Sequence, residues 1–143
     1  MIILRYIHLY WLMIYLSITE GIWRIPKLTL SPDNYPAHVS MYNERHITIC
    51  NDIMYLEVFY HEWRHFYQDI TDTCNYHDYN FERYTRYKDI FYQMRKNTLL
   101  AHHFPRVSKM FKNEFLFEKD AMEYHIKKCP NGKLAIYFKK LMS

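Results

Sequence analysis

The segment His61-Glu62-Trp63-Arg64-His65 carries two imidazoles and a carboxylate at a spacing that suits hydrolytic metal chemistry. On a helix, His61 and His65 fall one turn apart on one face, so two ring nitrogens can meet a single Zn²⁺. Glu62 lies beside them, where a carboxylate can take a proton from water on the metal's open position. H-E-x-x-H has this meaning only if the residues around it make a helix that presents it.

The flanking residues predict that helix. At about 100° per residue, Phe59, Trp63, Phe66, Tyr67 and Ile70 gather on one arc as a core-facing stripe. His61 and His65 fall on the opposite side with Met54, Val58 and Gln68, and Glu62 lies at the edge of that surface. Asn51-Asp52 supplies an N-cap. The competing description is an amphipathic helix with two exposed histidines and an incidental glutamate.

A catalytic zinc site needs a third protein ligand and one open position. Downstream donors are His77 and Asp78, in a polar stretch that reads as a loop, His102 and His103 near Pro105, and Glu114, Glu118 and Glu123. Glu118 is the choice: a ligand on a helix packed against the motif helix is held rigidly, whereas a loop aspartate is not. Ala121, one turn on, lets the two helices approach closely, and Phe117 and Tyr124 pin the same helix in the core. An oxyanion donor is sought in Tyr76, Tyr79 or a loop histidine. Asp69 is a candidate hydrogen-bond partner for a ligand imidazole.

Around these residues the chain reads as one α+β domain spanning 1–143, a small antiparallel or mixed sheet packed on the motif helix and the glutamate helix. Residues 22 to 30 read as an edge strand because of Pro26, and 31 to 36 as a turn cluster. Residues 38 to 42 and 46 to 50 form a hairpin about Asn43-Glu44-Arg45. Helices follow at 81 to 97 and, after Pro105, at 107 to 128, ending at Cys129-Pro130-Asn131-Gly132. The last eleven residues are a short helix or strand. Residues 2 to 18 are strongly apolar but interrupted by Arg5 and His8, and no small-residue cleavage site follows. They read as a core helix, with a membrane anchor or signal segment as the alternative.

Composition bounds the rest. Two glycines in 143 residues exclude the Gly-rich phosphate cradles of Rossmann and P-loop proteins. A net charge of +4, spread along the chain apart from Lys127, Lys128, Lys133, Lys139 and Lys140, gives no nucleic-acid signature. Three distant cysteines with no C-x-x-C argue against a disulfide framework or a cysteine zinc site, and favour a reducing, cytoplasmic setting.

Taken together, His61-Glu62-x-x-His65 and the downstream Glu118-x-Asp120-Ala121-x-x-Tyr124 resemble the gluzincin metallopeptidases, in particular their smallest single-domain members, the minigluzincins. The resemblance covers roughly residues 38 to 128, and the form His-Glu-x-Arg-His-x-x-Gln, with Arg64 and Gln68, is similar to small proteins of this type. It implies a zincin-like domain with Zn²⁺ on His61, His65 and Glu118, Glu62 as general base, and a peptide or protein substrate. It also implies a strand antiparallel to that substrate, from residues 38 to 42 or 45 to 50. The chain has no counterpart of the larger C-terminal subdomain of thermolysin-like enzymes. The alternative function is a non-catalytic or latent zinc-binding regulatory protein.

Overall fold

A computed structural model describes residues 2–31, 41–96 and 101–142. Over these the chain runs α1 (Ile2–Thr19), β1 (Lys27–Ser31), β2 (Met41–Asn43), β3 (His46–Cys50), α2 (Tyr55–Thr71), α3 (Phe81–Lys96), a 3-10 turn (Ala101–His103), α4 (Phe104–Glu114), α5 (Leu116–Lys128) and α6 (Lys133–Met142). The fold is α+β, a small mixed sheet among helices. The expected turn cluster at 31 to 36 falls, after Ser31, outside the described residues, as does the first part of the expected strand at 38 to 42.

α2 is the axle of the core. Its stripe buries Phe59, Trp63 and Phe66 almost completely against Leu9, Met13 and Leu16 of α1 and Ile47 and Ile49 of β3. Each such side chain contributes about 1.5–3 kcal/mol by leaving water. β3 lies in the middle of the sheet, parallel to β1 and antiparallel to β2. The hairpin turn places Glu44 and Arg45 at φ 49° and 63°, a two-residue turn whose twist matches the strands it joins. β1 begins after Pro26, which cannot donate to the ladder, and pairs Lys27 with His46.

Three expectations change. The capping aspartate acts ahead of the helix: Asp52 Oδ1 accepts from the Met54 N–H at 2.9 Å, and α2 starts at Tyr55 with no side-chain cap. The helix expected at 107 to 128 is two helices, broken at Phe115 with φ −111° and ψ 83°. The break lets the Phe115 ring enter a second cluster with Phe111 and Phe117, on which Tyr79, Tyr84 and Tyr87 pack. It also frees α5 to turn independently of α4, so that Glu118 faces α2. The last expectation, left between helix and strand, resolves as α6.

α1 is apolar except along one edge, where Arg5 donates to Asn51 and His8 meets the Tyr55 hydroxyl. By length and composition it could cross a membrane, yet Leu9, Met13, Leu16 and Ser17 are buried in the core.

Candidate metal centre

The site forms where α2 crosses α5. The i, i+4 spacing stacks His61 and His65 on one face of α2, with ring centroids 5.0 Å apart. Ala121, fully buried on α5, removes the bulk that would hold the helices apart. Glu118, one turn earlier, therefore reaches across: Oε2 lies 3.3 Å from His61 Nε2, and Oε1 lies 3.4 Å from His65 Nε2. One ligand atom from each of the three residues lies within 4.8 Å of the others. Tetrahedral zinc with bonds near 2.0–2.1 Å needs ligand atoms about 3.4 Å apart; His61 has that separation from Oε2 and His65 from Oε1, so the set closes on one ion with a small rotation of the carboxylate.

The electrostatics follow from that proximity. Burial disfavours a charged His65, but the Glu118 carboxylate outweighs it and raises the imidazole to about 9. Burial would likewise raise Glu118, but the charge and hydrogen bonds of His65 and His61 hold it well below the usual carboxylate range. Tyr84, on α3, donates to Glu118 Oε1 at 2.7 Å, and burial followed by the Glu118 charge pushes its phenol up. Tyr84 thus remains a donor at neutral pH.

A polar lattice fixes the other side. Gln68 Oε1 faces His65 Nδ1 at 2.9 Å, while Gln68 Nε2 donates to the Phe117 carbonyl and to Asp120 Oδ2, both at 2.8 Å. Asp120 Oδ2 also accepts from Arg64 Nε at 2.7 Å. Arg64 and Gln68 on α2 and Asp120 on α5, all within the two sequence patterns, are thus one network joining the helices.

His61 opens onto a different environment. Its Nδ1 is buried without a hydrogen-bond partner among the described residues, as is His125 Nδ1, and the two rings lie 5.9 Å apart between centroids. His125 Nε2 pairs with buried Glu57 at 2.8 Å, and the same Glu57 oxygen accepts the Ala135 N–H at the start of α6. Burial, aided by the His61 charge, lowers His125 despite Glu57.

The three residues border a cleft of about 500 Å³. Glu62 lines it beside both histidines, and Tyr76 and Tyr79 are in its wall. Burial first, then neighbouring charges, raises both phenols. Sequence reasoning did not find the α3 side of this cleft, which is Phe81, Tyr84, Thr85 and Lys88. Tyr84 reads in the sequence only as part of a helical apolar stripe.

The other donors lie elsewhere. His77 is held by Asp69, through the backbone carbonyl at 3.0 Å and Oδ1 at 3.1 Å. Asp78 is exposed in the loop before α3, and His102 and His103 are exposed with their rings tilted against each other, centroids 3.9 Å apart. Glu114 pairs with Arg83, and Glu123 is exposed. Asp69 also accepts from the Tyr42 hydroxyl. It supports no ligand histidine, because Gln68, three residues beyond His65, occupies that place. No family model matches the chain, and neither the curated proteins nor the solved structures compared with it contain a match.

Proposed function

We propose that the chain is a zinc-dependent metallopeptidase of the gluzincin type, most similar in plan to the minigluzincins. The observation that carries this is the convergence of His61 Nε2, His65 Nε2 and the Glu118 carboxylate at 3.3–3.4 Å, with Glu62 beside them in the cleft wall. The donor set suits zinc: two imidazoles and one carboxylate are the ligands of its catalytic sites, and they leave a fourth position to face the cleft. Bound there, the metal would supply Lewis acidity and a water acidified toward neutrality.

The chain's residues account for the remaining steps. A peptide lies against β2, whose Met41 and Asn43 line the cleft and whose outer edge is free of a neighbouring strand among the described residues. β3, the other strand offered by the sequence, is central and paired on both sides. Glu62 takes a proton from the attacking water and passes it to the leaving amine. Tyr76 and Tyr79, protonated at neutral pH, donate toward the developing oxyanion. The free thiols Cys50, Cys74 and Cys129 suit a reducing, cytoplasmic compartment.

A second reading is a latent or non-catalytic zinc protein. It is favoured by Tyr84, which with the two histidines already engages both Glu118 oxygens. Elemental analysis after dialysis, followed by assay on a mixed peptide library, separates the two. The peptidase reading expects about one zinc per chain, much reduced in Glu118→Ala, and peptide cleavage that disappears in Glu62→Gln with zinc retained. Zinc without cleavage favours the latent protein, and a zinc-free wild type overturns both.

A further inference from the structure

α1 has a second face that the core does not use. Leu9, Met13 and Leu16 are at most 1% exposed and lock one side of the helix to α2 and the sheet. The opposite arc presents Ile3, Leu4, Ile7, Trp11, Ile14 and Ile18, each at least 40% exposed and Trp11 69%. No charged side chain falls within that arc, and at about 1.5 Å per residue it runs for about 22 Å. A continuous apolar stripe of this length is more than an ordinary monomer surface carries.

We propose that this stripe beds into the surface of an anionic lipid bilayer, with α1 lying flat in the interface and not spanning it. Spanning would require Leu9, Met13 and Leu16 to leave the core, and with them the bond from the Leu30 N–H to the Tyr6 hydroxyl at 2.8 Å. Lipid suits the stripe on three counts. Its composition meets the length and apolarity of a membrane-crossing helix. Tyr10 and Tyr15 flank it, and Trp23 stands 73% exposed just past its end, its backbone N–H donating to the Ser17 carbonyl; such rings favour the headgroup level. Cations stand at the same end: exposed Arg24, and Lys127 and Lys128 in a groove shared with Tyr15 and Thr19. In that groove Asp120 pairs with Arg64, and Glu20 and Glu123 balance the two lysines, so the positive excess at this end comes from Arg24 on a chain whose net charge is +4. The surface is therefore complementary to acyl chains along the stripe and to anionic headgroups at its end.

The experiment is flotation of the purified full-length chain with phosphatidylcholine vesicles, with and without phosphatidylglycerol, read alongside light scattering and intact mass. Wild type is expected to float with the anionic vesicles as a monomer, and to be released by alkaline carbonate. Trp11→Glu combined with Ile14→Glu, both outward-facing, should lower the bound fraction by about tenfold or more. Lys127→Glu with Lys128→Glu should remove only the preference for phosphatidylglycerol. Brominated lipids should quench wild-type tryptophan emission, a readout that needs no variant. The proposal is overturned by a wild type that stays unbound, or by a dimer that the α1 variant converts to monomer. It is equally overturned by retention in carbonate-washed membranes, which means spanning, or by a mature mass lacking α1. None of these readouts depends on metal or peptidase activity.

Discussion

Gln68 accepts a hydrogen bond from His65, Oε1 to Nδ1 at 2.9 Å, and its amide orientation is fixed by what its nitrogen does. Nε2 has two donors, and both meet acceptors, the Phe117 carbonyl and Asp120 Oδ2. Only the oxygen is left to face His65, so Nδ1 carries a proton and Nε2 is the atom turned to Glu118. A residue with no metal contact therefore decides which imidazole nitrogen can ligate.

Gln68→Ala should consequently weaken zinc binding by about 10–100-fold, measured by competition with a chelator. It should also lower stability by about 1–3 kcal/mol in urea titrations, since buried acceptors on α5 lose their donor. Unchanged zinc affinity in a folded variant would show that the imidazole is oriented by other means.

Tyr84→Phe removes one hydroxyl and leaves the ring packed on Phe111 and Phe115. Glu118 then loses its only donor from α3 among the described residues. A drop of about tenfold in zinc affinity with little change in melting temperature is expected. If zinc affinity holds and only catalysis falls, Tyr84 acts on substrate and not through Glu118.

Metal-free and zinc-loaded protein should respond to pH in opposite senses. In the metal-free chain His65 is raised from 6.5 to about 9, so its contribution is complete below about 6.5 and is lost as pH rises through 9. Glu118 is depressed, so its contribution is present above its ordinary 4.5 and is lost on acidification through its lowered value. Metal-free melting temperature should therefore fall between pH 6.5 and 9. Zinc must displace the His65 proton, so its affinity should rise across the same interval. Calorimetry with and without chelator tests both, and parallel profiles would refute the linkage.

Gly132→Ala addresses the Glu57–His125 pair. A Cβ at Gly132 would overlap the Glu57 carboxyl group, which holds both His125 and the start of α6. Displacing it should cost about 1–3 kcal/mol in a denaturant titration. A neutral result would mean that α6 shifts freely and that the pair is not rigid.

Legibility in the sequence followed periodicity. The α2 stripe, the two histidines and the hairpin were readable because 3.6-residue and 2-residue repeats, and a turn-rich break between strands, are local signals. Glu118 was reachable through Ala121, since a small residue one turn away marks close helix approach. The break at Phe115 was not readable: nothing in Glu114-Phe115-Leu116 is a helix breaker, and it is the distant rings of Tyr79, Tyr84 and Tyr87 that draw the side chain inward. The helical wheel makes Asp69 a candidate partner for a ligand imidazole, but it gives direction and not partner; Tyr42 and His77 are the groups Asp69 meets. Gln68 and Asp120 stood in the quoted motifs, but that they meet depends on how α2 and α5 cross.

In α5, Glu118 addresses the two histidines, Asp120 the Arg64–Gln68 pair, Tyr124 the Glu20 carboxylate behind Trp63, and His125 the Glu57 that seats α6. One added or deleted residue between 118 and 125 would turn everything beyond it by about 100°, so that at most one side of the insertion could keep its partners. The spacing of this segment is thus as constrained as its composition, and length variation should be confined to the connections at its two ends.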